Sequence, residues 1–122
     1  MPWETDQHGI TQILKSITNS GLASFLAVLK VFGDVPSPGV MSFPKPGLTL
    51  ALDFPVREEV SFDLLDRLAA ITHDHGGRMY PAKDARMSAA HFQAFYPEWE
   101  QFASYVDPAF DSSFWQRVTG RG

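Results

Sequence analysis

The chain has 122 residues, 44% of them apolar, which suffices for one domain with a modest core and leaves little room for two. A formal charge of −4, with ten Lys and Arg scattered along the chain, lacks the clustered positive field of a nucleic-acid surface. The absence of cysteine removes disulfides, thiolate nucleophiles and Cys-ligated zinc or iron–sulfur sites.

Met1 to Asp6 carries neither the basic residues nor the apolar core of a secretory signal, so a cytoplasmic address is expected. Ile10, Ile13, Leu14 and Ile17 recur at helical spacing and Gly21 follows as a stop, which predicts an amphipathic helix over residues 8–20. Ser24 to Phe32 is apolar on both faces of an extended chain, as in a strand covered on two sides, with a buried helix as the rival. The longest apolar run, Leu22 to Phe32, is interrupted by Lys30 and falls short of the roughly 20 residues that span a bilayer. Between Gly33 and Gly47, four prolines (Pro36, Pro38, Pro44, Pro46) exclude helix and inner strand and predict a long, stiffened loop.

Leu48 to Phe54 alternates, with Leu48, Leu50, Leu52 and Phe54 on one face and Thr49, Ala51 and Asp53 on the other, as a half-buried strand does. Val60, Leu64, Leu68 and Ile71 give a second helix over about residues 59–75, whose apolar stripe can cover the leucine face. Gly76 and Gly77 stop that helix, and Pro81 keeps Tyr80 extended, so Lys83 follows on a rigid approach. Further on, Ser88 is a helix N-cap, Pro97 suits the first turn of another helix, and Ser112 to Thr119 forms a last short one. Phe92, Phe95, Trp99, Phe102 and Val106 make an aromatic stripe read as a docking face. The expected fold class is α+β: a small antiparallel sheet covered by helices, then a C-terminal helical segment, in a single domain over 1–122 with parts at 8–77 and 78–122.

Strand parity carries the candidate site. Lys30 and Phe32 share one face of the first strand, Thr49 and Ala51 one face of the second, so pairing brings all four together. A lysine in an apolar strand either snorkels to water or meets an anion, and both remain open for Lys30. Lys83 is either a cation held against a cofactor or a solvated loop lysine paired with Asp84. His73 and His75 lie two apart on a helix and do not face one another, which is the wrong spacing for a metal. His8 and His91 are isolated, no Ser-His-Asp set, phosphate loop or nucleotide-binding glycine fingerprint occurs, and Asp53, Asp84 and Glu98 offer no acid–base geometry.

Five blocks, Ser24 to Gly33, Leu48 to Pro55, Gly76 to Arg86, Phe95-Tyr96-Pro97 and Val106-Asp107-Pro108, resemble the C-terminal part of FAD-linked oxidoreductases of the vanillyl-alcohol-oxidase type. The decaprenylphosphoryl-ribose oxidases are nearest among them and the sugar-lactone oxidases more distant. The likeness runs over about residues 10–118. It implies a cap or substrate region on an antiparallel sheet, followed by a segment that packs on a flavin domain. Lys83 matches the lysine these enzymes hold beside the isoalloxazine ring, where a fixed cation stabilises the negative charge of reduced flavin. Tyr80 is implied to shape the same pocket, and Lys30, Phe32, Thr49 and Ala51 match positions on the substrate side.

The implied cofactor is FAD held non-covalently, and the implied substrate a sugar-like alcohol. Thr49 stands where the nearest relatives carry an amide and Ala51 where they carry a thiol, so substrate identity does not transfer. The flavin-binding domain of such enzymes is expected from a separate domain or subunit, without which the chain is expected to be inactive. The alternative is a non-catalytic binding or assembly module of the same fold. In either case the two-stranded sheet has unpaired edges, for which a homodimer is the expected cover.

Overall fold

The computed structural model describes residues 1–83 and 86–120, with residues 58 and 59 described through their backbone alone. Helix α1 spans Asp6–Ser20 and ends at Gly21, whose left-handed backbone lets its N–H reach the Thr18 carbonyl. It begins two residues earlier than periodicity predicts because Thr5, at the N-cap, turns its hydroxyl to the His75 carbonyl (2.7 Å) and thereby ties the helix start to a distant turn. Of the apolar stripe, Ile13 is buried and Ile17 packs on the core, whereas Leu14 stays half exposed.

Strands β1 (Leu26–Phe32) and β2 (Gly47–Asp53) form a two-stranded antiparallel sheet, in register from Leu26 opposite Asp53 to Phe32 opposite Gly47. Lys30 stands directly opposite Thr49, and Val28 opposite Ala51, as strand parity requires. On the outer edge of β2 the Leu48 N–H donates to the Met1 carbonyl, and the Met1 amine donates to the Leu48 carbonyl, both at 2.9 Å. Gly47 permits this approach, since its φ is +137° and a Cβ there would meet the Met1 carbonyl oxygen at 2.0 Å.

Helix α2 spans Glu58–Asp74 and lies with α1 over the leucine face of β2. Ile13, Leu22, Leu64 and Leu68 form a buried cluster, against which Leu50, Leu52, Phe54, Ile17 and Ile71 pack. Val60, expected on this stripe, is instead more than half exposed at the first turn. The α2 start is held by Ser61, whose buried hydroxyl accepts from the Arg57 N–H (2.8 Å) and donates to the Pro55 carbonyl (3.0 Å). Its end is closed by Gly76 at φ +64° and by Gly77, whose N–H reaches the Thr72 carbonyl at 2.8 Å.

One expectation for the sheet fails. β1 is not covered on two sides: Leu26, Leu29 and Val31 are 46%, 54% and 65% exposed, and Phe25 just before it is 81% exposed. The apolar run reads as buried because its residue types suit burial, but the helices pack on β2 through Leu50 and Leu52 and leave β1 largely exposed.

After a 3-10 turn at Pro81–Lys83 come α3 (Ala89–Phe95), α4 (Trp99–Ala103) and α5 (Ser113–Thr119). Ser88 caps α3 by accepting from the His91 N–H, and Ser112 caps α5 by accepting from the Trp115 N–H, each at 3.1 Å. A second core forms here from Met87, Phe92, Phe95, Tyr96 and Val118, with Trp99, Phe114 and Trp115 packed on it. The aromatic stripe therefore divides: Phe92 and Phe95 are buried, Trp99 is partly covered, and Phe102 on α4 is 39% exposed. The reason is the break at Tyr96 to Glu98, which resets the helical phase between α3 and α4. No helix among the described residues is long and apolar enough to cross a membrane.

Candidate functional site

A cavity of about 500 Å³ lies between the sheet, α2 and residues 78–80, 83 and 86–88. Lys30, Phe32, Thr49, Ala51, Tyr80 and Lys83, the six residues expected at a site, all line it. They come from β1, β2 and the 3-10 turn, and sheet pairing plus the glycine stop of α2 bring them together. The inner wall is apolar, with Leu50, Leu52, Phe54, Leu68 and Met79, and the cationic groups are Lys30, Arg78, Lys83 and Arg86.

Lys83 meets a carboxylate of β2. Its ammonium lies 3.4 Å from the Asp53 carboxylate at the end of β2, with the two side chains 63% and 48% exposed, so the pair is weak. Asp84, the partner expected from sequence, lies outside the described residues. Asp53 falls on the same β2 face as Thr49 and Ala51, as strand parity requires, but its meeting with Lys83 was not read from the sequence. Lys30 has no carboxylate at salt-bridge distance among the described residues and points its face toward the cavity.

Three further residues shape the site and were not read from the sequence. Phe43, from the proline-rich loop, sets its ring 6.1 Å from that of Phe32 and 5.2 Å from that of Tyr80, making an aromatic corner. Nothing in the local pattern marks it, because a loop without periodicity does not reveal which way its side chains turn. Arg78 donates to the Ser42 carbonyl and lies 4.7 Å over the Tyr96 ring, which clamps loop, glycine turn and second core together. Arg86 pairs with Asp66 of α2 at 3.0 Å and covers the Phe62 ring.

Burial pushes the Tyr96 phenol above its ordinary value, opposed by the Arg78 charge and aided by Tyr80; the neutral hydroxyl donates to the Met79 carbonyl at 2.7 Å. Burial lowers Lys45, with Arg78 adding to that and Glu98 opposing it; its ammonium reaches the Gly76 carbonyl at 3.4 Å. The histidines do not converge: His75 meets Gln12 at 3.1 Å, while His73 stands by Asp74 and 5.9 Å from the His91 ring.

The arrangement is thus a pocket with a leucine wall, an aromatic corner, one lysine (Lys30) without a carboxylate at salt-bridge distance among the described residues and a second (Lys83) in a weak, exposed ion pair. Such walls suit a flat conjugated ring that bears negative charge at one edge.

No family model matches the chain. Over 99 residues, 79% of its length, it is 38% identical to decaprenylphosphoryl-β-D-ribose oxidase of Mycolicibacterium smegmatis, of which the match covers 21%. Over 109 residues, 84% of its length, it is 34% identical to an uncharacterised protein in the mprA 5′ region of Streptomyces coelicolor, of which the match covers 29%. The chain therefore spans about a fifth of the first relative and under a third of the second.

Proposed function

We propose that the chain is the C-terminal, substrate-side portion of a FAD-linked oxidoreductase of the vanillyl-alcohol-oxidase type, acting on an alcohol carbon of a sugar-like substrate in the cytoplasm. The observation that carries this reading is the shared cavity: residues from three elements, singled out by a resemblance to such oxidases, stand around one pocket. The similarity to an oxidase over most of the chain supports it.

The residues present fit the ring part of the cofactor. Phe32, Phe43 and Tyr80 offer aromatic surface, and Lys83 offers a cation whose exposed pair with Asp53 costs little to open. The sequence holds no glycine-rich phosphate loop, so the pyrophosphate and adenosine fall to another domain or subunit. When bound, FAD supplies the hydride acceptor. Lys83 would hold a positive charge against the electron-rich edge of the ring, Tyr80 and Phe32 would line its face and the substrate side, and Lys30 with Thr49 would orient substrate hydroxyls by hydrogen bonds. Ala51 leaves room where a larger side chain would fill the pocket. Alone, the chain offers too little surface to hold FAD firmly, and no turnover is expected.

Weak binding of this kind is read by NMR. Adding oxidised, then reduced FAD to the labelled chain should shift resonances of Lys30, Thr49, Tyr80 and Lys83 more strongly for the reduced form. Lys83→Met should remove most of that preference. If the shifts fall elsewhere, or are the same with Lys83→Met, the flavin reading fails and a non-catalytic assembly module is the better account.

A further inference from the structure

A second cavity, of about 430 Å³, meets the first at Arg78, which lines both. Lys45, His73 and Glu98 line it too, beside an apolar patch of Phe95 and Pro97. Its volume is that of a small-molecule site. Two cations meet there without a counterion. No carboxylate lies at salt-bridge distance from Lys45 or Arg78 among the described residues. Burial, and after it the Arg78 charge, lowers Lys45 below its ordinary value, with Glu98 opposing.

Hydrogen-bond donors are left over as well. Of its three N–H groups the Lys45 ammonium commits one, in a long bond to the Gly76 carbonyl at 3.4 Å. Arg78 donates through Nη1 to the Ser42 carbonyl, but its buried Nε has no partner among the described residues, and a buried donor left unmet is costly. Neither cation is loosely placed. The Arg78 guanidinium lies 4.7 Å over the Tyr96 ring, and Pro44 and Pro46 stiffen the backbone on either side of Lys45.

Charge and shape then select the ligand. Lys45 and Arg78 against the Glu98 carboxylate leave a net positive charge of one, with His73 counted neutral. Gly76 and Gly77, at the negative end of α2, also line the cavity and disfavour a second negative charge. A monoanion therefore suits the site better than a dianion such as phosphate. A carboxylate is planar, can take a guanidinium N–H and an ammonium side by side, and brings an organic body for Phe95 and Pro97 to cover.

We infer that this cavity binds a small organic carboxylate, shared between the Lys45 ammonium and the Arg78 guanidinium, with the Arg78 Nε–H among the donors. The site stands apart from the flavin reading, because it requires no redox cofactor.

The test is NMR titration of the nitrogen-15-labelled chain with sodium lactate, against sodium chloride at the same ionic strength. The expected result is a saturating shift at the Gly77 and Arg78 amides, with the Arg78 Nε–H signal moving downfield as it gains an acceptor. Lys45→Met should weaken lactate binding about tenfold, the loss of one charge-assisted hydrogen bond. Glu98→Gln, which removes the opposing charge, should tighten it. Shifts that sodium chloride reproduces, a Lys45→Met chain that binds as well as the parent, or an Arg78 Nε–H signal that stays in place overturns the inference. Tighter binding of inorganic phosphate than of lactate overturns the assignment to carboxylates.

Discussion

Tyr96 shows how one side chain links the two parts of the molecule. Fully buried at the end of α3, it donates to the Met79 carbonyl and lies under the Arg78 guanidinium, so it fixes the strand-like approach to Tyr80 and Lys83. Tyr96→Phe leaves a buried carbonyl unpaired and should cost about 1–3 kcal/mol, measured by denaturant unfolding. The same tyrosine sets an alkaline limit. Because its folded pKa is raised, its contribution is complete below the ordinary value of 10.0 and is lost as pH climbs from there, where the unfolded phenol ionises and the folded one does not. In the Phe variant that part of the alkaline decline should vanish from a plot of stability against pH; an unchanged decline would show that Tyr96 is not its source. None of this was legible beforehand, since Phe95-Tyr96-Pro97 signalled only an aromatic stripe and a helix break. By contrast the grouping of Lys30, Thr49 and Ala51 was legible, because side-chain alternation on a strand is a matter of backbone geometry alone.

Among the elements, those whose periodicity is backed by a chemical stop were the most readable. α1 ends at Gly21 and α2 is followed by Gly76 and Gly77, and both helices and β2 lie within two residues of their expected bounds. The start of α2 is less ordinary. Arg57 occupies the N-cap without a side-chain bond, and Ser61, one turn inside, takes over by accepting from its N–H and donating to the Pro55 carbonyl. Ser61→Ala should therefore destabilise more than an exposed serine would, by about 1–3 kcal/mol in thermal or urea unfolding, because two backbone groups lose a partner in a site only 2% exposed. A loss within the scatter of an exposed control such as Ser104→Ala would mean that water replaces the hydroxyl there. β1 marks the limit of reading elements from composition: an apolar run predicts that a strand wants covering, and says nothing about whether this chain supplies the cover.

On the scale of the whole molecule, two small cores share the work of placing one cavity. The first, Ile13, Leu22, Leu64 and Leu68, holds α1 and α2 against β2 and so positions Thr49 and Ala51. The second, Met87, Phe92, Phe95, Tyr96 and Val118, anchors the return of the chain on the far side of Tyr80 and Lys83. The Tyr96 hydroxyl holds the Met79 carbonyl one residue before Tyr80, so the geometry of Lys83 depends on the second core although no residue of the ion pair belongs to it. Phe92 tests this. It is 1% exposed and meets Phe114 and Trp115 edge-on, so Phe92→Ala should cost about 3–5 kcal/mol within that core. If the cores are separable, hydrogen exchange in the variant should quicken across α3 and α5 while the amides of α1, α2 and β2 keep their protection, and the flavin-dependent shift at Lys83 should disappear before those at Thr49. Uniformly faster exchange would instead show one cooperative unit, in which the pocket and both cores stand or fall together.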